Sequence, residues 1–310
     1  MNLKKLKLKS LFKDEHAKFR IAIGLQFAFI PLLSLAVSII LNYIVLKVTL
    51  SVLSSFNSEK SFIVEDLLYL FAQKGLVDLV PWIVISTVAL TFFGMFMGNV
   101  MLRPFRIIAE YCEGQLADEK KSYNPEFITE LKLLSLFSEW FFHTITILKE
   151  AGGLTKIEVP EKYKRIHKPV FESNFFVNNF LVIIIMTLIT AFLIYVGNAK
   201  MFEGVVEVIR EIYSHEKSAG LYIQNISEVF DIISILSIGI NIFIYFIYSF
   251  FLYSKVSAPA FGVFATMRSF INGRYSARVH LIGYSYLRNY TRMLNKYLDH
   301  VEKEYVSKDN

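Results

Sequence analysis

Residues 232–252 read IISILSIGINIFIYFIYSFFL, an apolar run without a charge. A helix needs about 20 such residues to cross the hydrocarbon core of a bilayer, so this stretch is long enough to span. Asp231 stands immediately before it, and Pro259 follows it closely. The same signature occurs once more in the chain. The run Leu79–Leu102 is preceded by Asp78 and followed by Pro104. Each of these runs has an earlier companion, Ile21–Leu46 for one and Phe175–Val196 for the other. The chain is two copies of one pattern: apolar span, short outer loop, apolar span, proline, amphipathic segment.

The rest of the composition agrees. Of 310 residues, 54% are hydrophobic, and the mean hydropathy is +0.45, too apolar for an ordinary soluble domain. Lys and Arg number seven in residues 1–20, eleven in 103–174 and nine in 252–310, but only three each in 47–78 and 197–231. Positive segments stay in the cytoplasm, so both termini are expected inside and both paired-span loops outside. In a bacterium this is a multi-pass protein of the inner (cytoplasmic) membrane, in contact with its lipids. The net charge of +6 follows from that orientation, and no nucleic-acid partner is expected. Cys112 is the single cysteine and is read as a small helix residue.

Within the spans the strongest polar groups are Gln26, Asn42, Asn99, Asn178, Asn179 and Asn241, which are expected to hydrogen-bond between helices. Pro31 lies inside the first span, and Gly94 and Gly98 form a small-residue pair in the second. The absence of intramembrane acids and bases disfavours a proton-coupled transporter. Both outer loops carry helical apolar spacing, at Ile63, Leu67 and Leu70 and at Val205, Val208 and Ile212. His215, in the second, is read as a solvated side chain.

The C-terminal segment is the most specific. After Pro259, residues Val263, Met267 and Phe270 form one apolar stripe, and Asn272-Gly273 ends the helix. An extended stretch containing Val279 and Leu281 runs to Gly283. A second helix then places Leu287, Tyr290, Leu294, Tyr297 and Val301 at alternating spacings of three and four, a coiled-coil seam that wants partner helices.

Helix, glycine, extended connector with apolar pins, glycine, helix, directly after a span: this segment resembles a HAMP domain, the linker of bacterial sensor kinases, chemoreceptors and membrane cyclases. Pro259 matches the residue that opens the family's first helix and Gly273 the one that closes it. Val279 and Leu281 match the connector pins, Gly283 the connector glycine, and Leu287, Leu294, Asn295 and Tyr297 the second-helix pattern. One departure is clear. Ser285-Tyr286 stands where the family has an Asp-Glu pair, leaving Ser285 as a possible cap.

The stretch after Pro104 reads as a degenerate second copy. Ile108 continues its first helix, 118–122 is a polar break, Asn124-Pro125 a turn, and Glu130 and Leu131 match the family's Glu and Leu. Its second helix carries Leu134, Phe137, Trp140, Phe141, Thr144, Ile147 and Leu148, with His143 read as a packed core histidine.

The fold expected is an all-α membrane protein: four transmembrane helices with two HAMP-like helical hairpins forming a bundle. The boundaries are a basic N-terminus (1–20), a two-helix membrane unit (21–102), the degenerate HAMP-like segment (103–150), a charged linker (151–174), a second membrane unit (175–252) and the second HAMP-like segment (253–310). The resemblance implies a parallel four-helix bundle, which the family builds from two chains. Here the two copies are expected to pair within one chain as a pseudo-dimer, the alternative being a homodimer.

No Walker-type loop, dinucleotide turn or metal-spaced histidine cluster is present, so no catalytic residue, cofactor or metal is expected and the chain is not read as an enzyme. The leading function is relay of a conformational signal to a protein partner in the cytoplasm or membrane. The alternative is a structural or accessory subunit of a larger envelope complex of secretion, pilus or motor type. A transporter or channel comes third.

Overall fold

A computed structural model describes residues 14–56, 61–117, 122–124, 131–213 and 217–305. Among them the secondary structure is helical throughout, with no strand. In chain order the helices are α1 (Glu15–Phe56), α2 (Ser61–Leu116), α3 (Lys132–Glu150), α4 (Glu161–Lys164), α5 (Ser173–Ile212), α6 (Lys217–Ile271) and, after one 3-10 turn (Ser285–Leu287), α7 (Arg288–Tyr305). Four of them, α1, α2, α5 and α6, are long and apolar enough to cross a membrane, and each contains one expected span.

These four helices are much longer than the spans. The segments 47–56, 61–78, 197–212 and 217–231, read from sequence as outer loops, continue the helices. Pro104 lies inside α2 and Pro259 inside α6, so neither opens a new helix. The chain divides into two compact units. One comprises Met1–Ile23, Met95–Phe180 and Ser249–Asn310, and the other Gly24–Gly94 and Leu181–Tyr248.

The second unit holds parts of α1, α2, α5 and α6. Its outward face is large and apolar, with Phe29, Ile40, Phe92, Leu188, Phe192 and Phe243 exposed, as on helices set in lipid. At one end Leu46, Leu53, Val64, Leu68, Val205, Val208, Ile209, Ile226 and Phe230 make a common core, so the outer segments bury apolar surface against each other. In the first segment the buried face is Val64 and Leu68. Ile63 and Leu70 of the expected stripe are exposed, one residue out of register. Val205 and Val208 of the other stripe are buried as expected.

Gly94 packs α2 against α1. A Cβ on Gly94 would lie 2.8 Å from Gly24 Cα and 2.8 Å from Phe27 Cβ, so two backbones meet there with no room for a side chain. Pro31 leaves the carbonyl of Phe27 without its helical donor. The Tyr245 hydroxyl donates to that oxygen at 2.9 Å and replaces the missing bond.

Candidate functional site in the helix bundle

The first unit brings both copies of the pattern into one core. Phe137 of α3 lies 4.5 Å from Phe264 of α6, and Phe141 lies 6.3 Å from Phe270, ring centre to ring centre. Phe142 lies 5.7 Å from Tyr297 of α7, which is also 6.2 Å from Tyr111 of α2. Further along both helices, the Lys149 ammonium sits over the rings of Tyr297 (4.9 Å) and Tyr305 (5.8 Å). Residue numbers rise together on the α3–α6 and α3–α7 pairs, so the end of α6 and the whole of α3 and α7 run in one direction.

Most of the C-terminal apolar stripe lies inside. Val263, Met267, Phe270, Leu287, Leu294, Tyr297 and Val301 are buried. Tyr290 is half-buried, its ring 4.4 Å from His16 at the start of α1. The buried face is wider than the stripe, because Phe264, Ile271, Thr291 and Leu298 are also inside. Burial pushes the Tyr297 phenol well above its ordinary pKa.

The connector is fixed at both ends and in the middle. Gly273 (φ +94°) closes α6 by donating to Phe270 O at 3.0 Å, while Arg274 N donates to Ser269 O at 3.1 Å, an αL helix stop. Gly283 takes the same backbone region at φ +87°. Val279 is buried, and the Asn295 side chain binds its backbone twice. Val279 N donates to Asn295 Oδ1 at 2.8 Å, and Asn295 Nδ2 donates to Val279 O at 3.0 Å. Leu281 is half-buried, with its methyl 2.8 Å from where a Cβ on Gly262 would stand. Arg278 pairs with Asp299 at 2.6 Å and with Glu302.

Ser285 forms no side-chain cap. Its hydroxyl bonds Glu15 Oε2 at 2.9 Å instead. Tyr286, at the site of the missing acid, takes a different task. Pro259 deprives Lys255 O of its helical donor, and the Tyr286 hydroxyl donates to that oxygen at 2.7 Å. Its ring stacks on Phe19 at 4.2 Å.

Residues 151–172, read from sequence as a charged linker, are a packed strap. Leu154, Val159 and Tyr163 are buried. Ile157 N donates to Ile271 O at 3.2 Å. Arg268 Nη1 reaches the carbonyls of Tyr163 (3.0 Å), Lys164 (3.3 Å) and Ile166 (2.7 Å), gathering the end of α4 onto α6. Glu172 Oε1 accepts from Leu133 N at 2.9 Å, so the strap caps the start of α3. Burial raises the Glu172 pKa, against the lowering effect of that bond.

In the stretch after Pro104, residues 118–121 and 125–130 lie outside the described residues, and with them most of the expected polar break, Pro125 and Glu130. Leu131, Leu134, Phe137, Phe141, Thr144 and Leu148 are buried, but Ile147 is exposed and Trp140 half-buried beside Tyr163. His143 is exposed, which corrects its reading as a core residue: the buried residues beside it, Phe141, Phe142, Thr144 and Ile145, turn that position outward. It borders a cleft of about 990 Å³ lined by Tyr123, Glu139, Lys149, His300 and Glu304. Burial lowers the Lys149 pKa there. His215 lies outside the described residues, and Cys112 is buried.

No family model matches the chain, and neither a curated protein nor a solved structure does.

Proposed function

We propose that this chain is a non-enzymatic relay of the bacterial inner membrane, with both termini cytoplasmic. Its two HAMP-like hairpins pair within one chain and pass a conformational change in the spans to a protein partner. The observation that carries the reading is the shared aromatic core. Phe137 and Phe141 of the first copy face Phe264 and Phe270 of the second, and Phe142 faces Tyr297. A signalling bundle needs helices that leave the apolar segments unbroken and end in a core able to repack. Helices α2 and α6 are continuous through Pro104 and Pro259, and the Tyr286 hydroxyl makes good the bond that Pro259 removes.

The test compares a relay with a rigid scaffold of an envelope complex. Cysteine pairs at Phe141 with Phe270 and at Phe142 with Tyr297, in a Cys112→Ser chain, report bundle packing through their crosslinking rates. Substitutions in the outer core, such as Val64→Ala or Val208→Ala, are then introduced. A relay predicts that the rates of the two pairs change in opposite directions. Equal rates in every outer-core variant would overturn the relay and leave the scaffold.

A further inference from the structure

The second unit hides a column of neutral polar side chains where three apolar helices meet. Helix α1 supplies Ser34, Ser38 and Asn42, α5 supplies Asn198, and α6 supplies Ser234, Ser237 and Asn241, all buried. Much of the column is paired. Ser34 Oγ donates to Asn241 Oδ1 at 3.2 Å, and Ser38 Oγ to Asn198 Oδ1 at 3.1 Å. Asn42 Nδ2 donates to the same Asn198 oxygen at 2.7 Å, and Asn198 Nδ2 donates to Ser234 Oγ at 2.6 Å. Three atoms are left over. Asn42 Oδ1, Ser237 Oγ and Asn241 Nδ2 are buried and bond no other protein group. Asn42, Ser237 and Asn241 are 5%, 0% and 0% exposed.

The leftover atoms are not scattered. Ser237 and Asn241 are one helical turn apart on one face of α6, and Asn241 joins α6 to α1 through Ser34. Other serines of these helices satisfy themselves. Ser34 bonds Ile30 O at 3.2 Å and Ser234 bonds Phe230 O at 2.9 Å, whereas Ser237 makes no such bond. An orphaned donor or acceptor is costly in an apolar interior, so three of them call for a ligand. All seven side chains are uncharged, so an ion would enter the column without a counter-charge. The ligand that suits a few convergent neutral donors and acceptors is water.

We infer that the column is an internal hydration site. One water bridges Ser237 Oγ and Asn241 Nδ2, and another bonds Asn42 Oδ1. The inference stands apart from the signalling role and holds whether or not the bundle relays anything.

Water-edited solid-state NMR of the full chain in lipid bilayers tests it. The Asn42 and Asn241 side-chain amides are expected to gain polarisation from water at least several times faster than the backbone of buried Ile194 nearby. Ser237→Ala should cut the Asn241 build-up by about half while leaving Asn42 unchanged. Asn241→Leu should abolish the shared site and keep the Asn42 signal. Build-up at Asn42 and Asn241 as slow as at Ile194 would overturn the inference. So would an Asn241 signal indifferent to Ser237→Ala, a conservative change expected to leave the fold intact.

Discussion

Two tyrosines correct two prolines. Pro31 and Pro259 each strip a carbonyl of its helical partner, and Tyr245 and Tyr286 each restore it from another helix or turn. Tyr286→Phe keeps the stacking ring and removes only the hydroxyl. The expected loss is about 1 kcal/mol, the cost of leaving a part-buried acceptor unpaired. Adding Pro259→Ala returns an N–H to Lys255 O, so the double variant should regain most of that loss in thermal unfolding. If it regains nothing, the capping assignment is wrong. The prolines were plain in the sequence, but their partners were not. Tyr286 lies 31 residues from Lys255 and Tyr245 lies 218 from Phe27, beyond any local pattern.

Glu172 offers a second test at this scale. Its pKa is raised above 4.5, mainly by burial, so the folded chain holds the proton more tightly than the unfolded chain. Its contribution is therefore complete at pH below 4.5 and is lost as pH rises through the folded value. Glu172→Gln keeps an acceptor for Leu133 N without a buried charge. It should match or exceed the parent at neutral pH and flatten the pH dependence measured by chemical denaturation. Glu172→Ala should lose about 1 kcal/mol, as for a missing helix cap, at pH below 4.5, and less at neutral pH.

Among the elements, those with periodicity were legible and those without were not. The apolar spacing in α7 could be read because Leu294, Tyr297 and Val301, all buried, repeat along a single helix. The strap could not, because much of its hold on the bundle runs through backbone carbonyls that carry no residue identity, and its buried side chains Leu154, Val159 and Tyr163 follow no helical period. Arg268 was one side-chain signal, and a basic residue near a helix end has many ordinary explanations. Arg268→Ala should free the strap, with faster proteolysis near Lys164 and Arg165 while the α3–α7 contacts persist. Unchanged cleavage there would mean that Leu154, Val159 and Tyr163 hold the strap alone. In α3 the apolar positions run almost all round the helix, so spacing could not say which side faced in. His143 and Ile147 were misjudged for that reason.

For the whole molecule, the repeat was visible in the spans and the charge counts, and one core gathers residues of α2, α3, α6 and α7. Pairing within one chain predicts a bridge between Phe142→Cys and Tyr297→Cys in a Cys112→Ser background. The product should run at monomer mass, since a disulfide needs Cα atoms within about 7 Å. A product only at dimer mass would favour exchange between two chains. Orientation is a separate question, answered by labelling sealed cells from outside. Ser55→Cys and Asn225→Cys should react, and Ser122→Cys and Asn289→Cys should not.

The bundle also imposes an order on synthesis. Phe137, Phe141 and Phe142 are made early, but Phe264, Phe270 and Tyr297, which cover them, follow more than a hundred residues later. At about 5–20 residues per second, that leaves α3 with an uncovered aromatic face for roughly 6–30 s on each ribosome. The nascent chain should therefore pass through a sticky intermediate whose lifetime is set by translation speed. Slowing the ribosome between residues 150 and 260 should raise aggregation and chaperone capture without altering the finished protein.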